Sequence, residues 1–218
     1  MVKIKLPFGK KTMDITVPKE RLNGVLCPGA HAYSEQKSEQ ELVKEALNAP
    51  TGSRPLSELA RDKRNIVLIA SDHTRPVPSR VILPPVLEEI KKGNPEAVLT
   101  ILIATGFHRP TTRQELIDKF GAGIVHDPAI RFVVHQSEKE EDMVRLGRLP
   151  SGGELLINRI AADADLLLSE GFIEPHFFAG FSGGRKSVLP GISSRTTVLA
   201  NHCSEFIADE NARTGVLE

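Results

Sequence analysis

Tryptophan is absent from this chain, tyrosine occurs once and cysteine twice. Cys27 and Cys203 are too few for a disulfide framework, which fits a reducing compartment such as the cytoplasm. No apolar run is long enough to span a bilayer, and Met1-Val-Lys-Ile-Lys-Leu-Pro7 has no apolar core of signal-peptide length. Excess charge is missing too, since 28 Lys and Arg balance 28 Asp and Glu. No global field draws the chain to nucleic acid or to an anionic membrane, so neither is an expected partner and any anion recognition must be local. Internal repeats and low-complexity segments are also lacking. What is present is 218 residues, 40% of them hydrophobic, enough for a core in one large domain or two small ones.

Residues 2–8 and 12–17 alternate apolar and polar side chains around Gly9-Lys10-Lys11, the pattern of an N-terminal β-hairpin. A polar helix is expected from Ser38 to Asn48 and a short one from Leu56 to Arg64. Asn65-Ile-Val-Leu-Ile-Ala70 follows, a continuous apolar run of the kind buried on both faces of a parallel sheet. Val98–Ala104, Ile130–His135 and Asp165–Ser169 repeat that grammar, with a helix around Pro84 to Lys92. Thr112 and Glu115 form a capping box opening a helix to Phe120. Strands alternating with helices imply a doubly wound α/β fold, a mainly parallel sheet flanked by helices, with the small hairpin at its N-terminus.

Three of these strands run into polar loops. Ser71-Asp-His-Thr-Arg-Pro76 follows the first, Thr105-Gly-Phe-His-Arg-Pro-Thr-Thr112 the second, and Ser169-Glu-Gly-Phe-Ile-Glu-Pro-His176 the last. Ligands of open α/β sheets bind beyond the carboxyl ends of the strands. Asp72, Arg75, His108, Arg109 and His176 are therefore expected to converge on one crevice. Each motif alone also fits a plain structural reading: Asp72 as a helix cap, His108 as a surface-loop histidine. Asp72 and Arg75 together can instead hold a hydroxyl with one arm and a carboxylate with the other.

Residues 174–192 are the densest stretch, with His176, Lys186 and a glycine-rich loop. Glycines let backbone approach a ligand, and exposed N–H groups beside a lysine suit an anion. A triphosphate-binding P-loop is excluded, because counting from Gly180 places Arg185 where the pattern requires its last glycine. A cationic neighbour such as Arg185 disfavours the protonated amine and helps Lys186 act as a nucleophile. His202, beside Cys203 at the end of a helix from Arg195, is an ordinary packing residue or a metal ligand. Nothing at zinc-site spacing accompanies it, so a metal there needs ligands from elsewhere. His31, His126 and His135 have no supporting context.

With Asp72-His-Thr-Arg-Pro, Gly106-Phe-His-Arg-Pro and Glu174-Pro-His-Phe-Phe-Ala-Gly-Phe-Ser-Gly-Gly-Arg-Lys-Ser187 in hand, the chain resembles the N-terminal domain of the nickel-dependent lactate racemase family over essentially its whole length. The resemblance implies a nickel-pincer nucleotide, a pyridinium mononucleotide with thioamide and thiocarboxylate arms, bound covalently to Lys186. It implies that His202 completes nickel coordination beside one carbon and two sulfurs. It makes His108 and His176 the acid–base pair and lets Arg75 meet the substrate carboxylate. Asp72, Thr74, Ser182, Gly183, Gly184 and Ser187 are then expected to hold the nucleotide or orient its neighbours.

The activity implied is racemisation or epimerisation of a small 2-hydroxy acid, with lactate the default. Hydride leaves carbon for the cofactor as the hydroxyl proton is removed, and a 2-keto acid takes the hydride back on its other face. The expected partners are that substrate, the protein's own C-terminal domain and the cofactor-synthesis proteins. Residues 1–218 are expected to be one N-terminal domain of a two-domain enzyme, inactive alone. Two rivals remain: a non-catalytic nucleotide- or anion-binding module, and a nickel-pincer enzyme for a larger 2-hydroxy acid.

Overall fold

The structure, a computed structural model, describes residues 1–9, 11–27 and 29–217, apart from the side chains of Ala30 and His31. Lys10, in the expected hairpin turn, lies outside the described residues. Two compact units result, Met1–Ser38 and Glu39–Glu218.

The first unit is built on an antiparallel pair, β1 (Val2–Phe8) and β2 (Lys11–Val17). Val2 faces Val17, Ile4 faces Ile15 and Leu6 faces Met13. Alternate residues share a face, so these six apolar side chains lie on one side of the hairpin.

The second unit runs α1 (Glu39–Asn48), α2 (Leu56–Leu59), β3 (Asn65–Ser71), α3 (Ser79–Gly93), β4 (Val98–Ala104), α4 (Arg113–Phe120), α5 (Ala122–Val125) and β5 (Ile130–Val134). It continues with β6 (Met143–Arg148), β7 (Glu154–Asn158), α6 (Arg159–Ala162), β8 (Leu166–Ser169), β9 (Pro175–His176), β10 (Gly180–Phe181), α7 (Arg195–Asn201) and α8 (Ser204–Ile207). β5, β4, β3 and β8 form a four-stranded, wholly parallel sheet in that order. One face packs Ile66, Leu68, Ala70, Ile101 and Ile103 against Leu83, Leu87 and Ile90 of α3 and Leu116 and Phe120 of α4. The other packs Val67, Ile69 and Leu102 against Ala161 and Ile192. Burial of each such branched side chain contributes about 1.5–3 kcal/mol, which is why these strands read as unbroken apolar runs.

Several expected boundaries move, for physical reasons. α2 stops at Leu59 rather than Arg64, and Asp62 beyond it takes φ 61°, a left-handed conformation that ends a helix. α3 begins at Ser79, not Pro84, and carries Pro84 and Pro85 inside it. Those prolines suggested a start, yet the burial of Leu83, Val86, Leu87 and Ile90 holds the helix through them. β5 ends at Val134, one residue short of the expected His135. Asp165 precedes β8 instead of opening it, and its carboxylate accepts the N–H groups of Arg64 and Asn65 at the entry to β3. The β6–β7 hairpin was not expected at all. Its strands alternate weakly and slip register between Arg145 and Gly147, so no continuous apolar run announces them. Thr112 does cap α4 reciprocally with Glu115, as the spacing implies.

The strand order matters for function. β3 lies between β4 and β8, so the three loops singled out by sequence leave adjacent strands on one edge of the sheet. Among the described residues no helix is long and apolar enough to cross a membrane.

Candidate active site

A cleft of about 240 Å³ opens at that edge. Asp72 and Arg75 reach it from the loop after β3, His108 from the loop after β4, and His176 from the segment after β8. Ser182, Gly183, Lys186 and Ser187 line it from the glycine-rich loop, and His202 from the end of α7. Thr74 and Gly184 are not in its lining; Thr74 acts through its neighbours, and Gly184 starts the 3-10 turn Gly184–Ser187 that presents Lys186. Arg109 points away, paired with Glu115 of α4. That pair anchors the loop carrying His108 to the capped helix.

Asp72 is almost fully buried at 1% exposure and binds its neighbours with both oxygens. Oδ1 accepts the Thr74 hydroxyl at 2.6 Å and its backbone N–H at 3.0 Å, while Oδ2 meets His108 Nδ1 at 2.6 Å. Burial alone pushes this carboxyl up, but the Thr74 and His108 hydrogen bonds outweigh it and hold Asp72 below its ordinary value. An ionised Asp72 keeps a proton on His108 Nδ1, leaving the Nε2 lone pair free to act as a base.

His176 is set differently. It sits on β9, opposite Gly180 of β10, and its Nδ1 accepts N–H bonds from Ala179 at 3.2 Å and Phe178 at 3.4 Å. The neutral ring therefore carries its hydrogen on Nε2, as a donor. Burial, followed by the charges of Lys186 and Arg75, pushes the His176 imidazole down, so it is neutral at physiological pH. Gly180 permits the tight hairpin at φ 76°, and a Cβ there would lie 1.7 Å from the Val216 carbonyl oxygen.

Lys186 is also pushed down, first by burial and then by Arg75. The responsible cation is thus Arg75 from another loop, not the adjacent Arg185 that the sequence suggested. The Lys186 ammonium lies 5.5 Å from the centroid of the Phe178 ring, and His176 and His202 meet that ring edge-on at 4.6 and 5.3 Å. Burial and then Lys186 push His202 down, keeping it a neutral imidazole. Its Nδ1 is buried and has no hydrogen-bond partner among the described residues. Such an orphaned polar atom is costly unless a ligand meets it. No group of three or more His, Cys, Asp or Glu among the described residues can hold a metal, so a metal at His202 needs donors from outside that set. Ser182 hydrogen-bonds within its own loop, donating to the Phe172 carbonyl and accepting the Glu174 N–H, and so fixes the wall it lines.

Sequence reasoning missed three contributors. Phe178 is the common neighbour of His176, His202 and Lys186, and Phe107 walls the cleft beside His108. Glu170 lies at its base, 7% exposed and directly after β8. Only Glu170 carried a readable signal, an acidic residue at a strand's carboxyl end.

The family described as the lactate racemase N-terminal domain matches residues 8–215. The chain belongs to that family. Lactate racemase of Thermoanaerobacterium thermosaccharolyticum is 56% identical over all of this chain and 51% of its own length. That of Lactiplantibacillus plantarum is 54% identical, again over all of this chain and 51% of its own. The chain therefore spans about half the length of the curated relatives it matches. The solved lactate racemase apoprotein of T. thermosaccharolyticum superposes with TM-score 0.86 at 55% identity, covering 99% of this chain and 50% of that one. A Thermotoga maritima protein, 23% identical over 82% of this chain and 44% of its own, shares the fold at TM-score 0.67.

Proposed function

We propose that this chain is the cofactor- and substrate-binding N-terminal part of an isomerase that racemises a small 2-hydroxy acid, lactate in the first instance. The observation that carries the reading is the convergence on one cleft of Arg75, His108 and His176, from the segments after three adjacent strands, with Lys186 of the glycine-rich loop. An anion-binding module needs Arg75 and Lys186 but has no use for a histidine backed by a buried aspartate.

The residues present fit a nickel-pincer nucleotide. Lys186, its amine pushed towards the neutral nucleophilic form, would hold the nucleotide covalently, and the orphaned His202 Nδ1 would meet the metal. When bound, the nucleotide supplies a hydride acceptor. Arg75 binds the substrate carboxylate and fixes the 2-hydroxy carbon. His108 Nε2 takes the hydroxyl proton, and Asp72 stabilises the imidazolium that results. His176 Nε2 holds the substrate oxygen by donating a hydrogen bond. For the opposite enantiomer, whose hydroxyl points the other way, His176 becomes the base once Nδ1 gives up its contacts with the Phe178 and Ala179 N–H groups. Phe107 and Phe172 give the cleft an apolar lining.

The test uses full-length protein made with nickel and the cofactor-synthesis proteins. His108→Ala and His176→Ala should each lower racemisation of lactate by about 10²-fold or more. Unchanged rates in both variants remove the acid–base assignment. A panel of chiral 2-hydroxy acids then decides between lactate and a larger substrate.

A further inference from the structure

A polar cluster beside the cleft has no part in the chemistry above. Arg75 lines the active cleft and also a second hollow of about 510 Å³, whose other walls include Ser79 and Lys119. The stretch holding Arg75 has little backbone support. Its N–H reaches only to the Asp72 carbonyl at 3.3 Å, that of Ser79 to Val77 at 2.8 Å, and Pro76 and Pro78 have none to give. No strand ladder aims the guanidinium.

Side chains supply the missing support. Lys119, in the last turn of α4, sends its half-buried ammonium 44 residues back along the chain to donate to the Arg75 carbonyl at 2.9 Å. Ser79, fully buried at the start of α3, donates its hydroxyl to Glu170 Oε1 at 2.6 Å, tying the far end of the loop to β8. The second Glu170 oxygen is buried and without a hydrogen-bond partner among the described residues. Burial is the main influence on the Lys119 amine and pushes it down. A cation in such a place is costly unless it is bonded, and here its bond goes to the Arg75 carbonyl, while the guanidinium donates to the Thr74 hydroxyl at 3.2 Å.

We propose that Lys119 is a positioning residue: bonded to the Arg75 carbonyl, it holds the loop that aims Arg75 at the substrate carboxylate. Glu170, through Ser79, anchors the end of the same loop. The proposal rests on the reading of Arg75 as the carboxylate-binding residue, and it leaves the hydride and proton steps untouched.

The experiment compares full-length wild type, Lys119→Met and Lys119→Arg, by hydrogen exchange of the segment 72–78 and by lactate racemisation kinetics. In Lys119→Met the loop should exchange about tenfold faster while β3 and β4 keep their protection. KM for lactate should rise about tenfold, kcat should stay within about threefold, and the mass at Lys186 should not change. Lys119→Arg should restore both readouts. Unchanged loop exchange, or a loss confined to kcat, overturns the proposal. Should Lys119→Met fail to fold, Lys119→Gln, which stays polar, is read by the same criteria. A wild type that does not racemise lactate counts against the functional reading, while a loop that loosens in Lys119→Met still supports the brace.

Discussion

His108 and His176 are one side-chain type turned to different uses by what meets Nδ1. A buried carboxylate at Nδ1 leaves His108 a free lone pair at Nε2, and two backbone N–H groups at Nδ1 leave His176 an N–H there. Asp72→Asn should keep the shape but lose the tautomer control, lowering kcat by about 10²- to 10⁴-fold with nucleotide loading intact. A rate within threefold of wild type, at about full loading, contradicts the assignment. Glu170 makes a pH prediction. Its folded value is raised by burial above the ordinary 4.5, so the folded chain keeps a proton that the unfolded chain has released. Its stabilising contribution is full below the unfolded value and is lost as pH rises through the folded one. Glu170→Gln should therefore flatten the fall in thermal midpoint as pH rises above the ordinary carboxylate value. Parallel curves for wild type and variant rule this out.

At the scale of elements, the glycine-rich loop is a wall before it is a cradle. Gly183 takes φ 76°, and a Cβ there would stand 3.1 Å from both the Phe172 carbonyl oxygen and an Ile173 side-chain carbon. Gly183→Ala should cost about 1–3 kcal/mol and lower occupancy at Lys186, measured by thermal midpoint and intact mass of the full-length protein. Equal occupancy and midpoint would mean that the loop adapts. The central strand β3 was readable because burial on both faces leaves a run with no polar interruption, Ile66–Ala70. The capping box of α4 was readable because it is local in sequence. The β6–β7 hairpin was not, because its alternation is weak and its register slips, and the true start of α3 was not, because Ser79 is held by Glu170, 91 residues away. The same division holds for the site. Arg75, His108 and His176 could be found as polar residues after buried strands. Lys119 could not, because a lysine in the last turn of a helix has an ordinary explanation and its partner lies 44 residues away.

For the whole molecule, the order β5-β4-β3-β8 explains why three separate motifs make one cleft. The chain spans about half of its curated relatives, and we propose that the remainder of such a protein covers the open side of that cleft. The 218-residue piece, loaded with nucleotide, should then show no detectable racemisation of lactate where the full-length enzyme is active; turnover by the piece alone would contradict that division. The central claim, that this cleft holds a lysine-bound nickel nucleotide, is tested most directly by intact mass. Full-length protein made with nickel and the cofactor-synthesis proteins should carry an adduct of nucleotide mass that is absent from Lys186→Ala. Wild type without an adduct, or an adduct that persists in Lys186→Ala, would contradict the account.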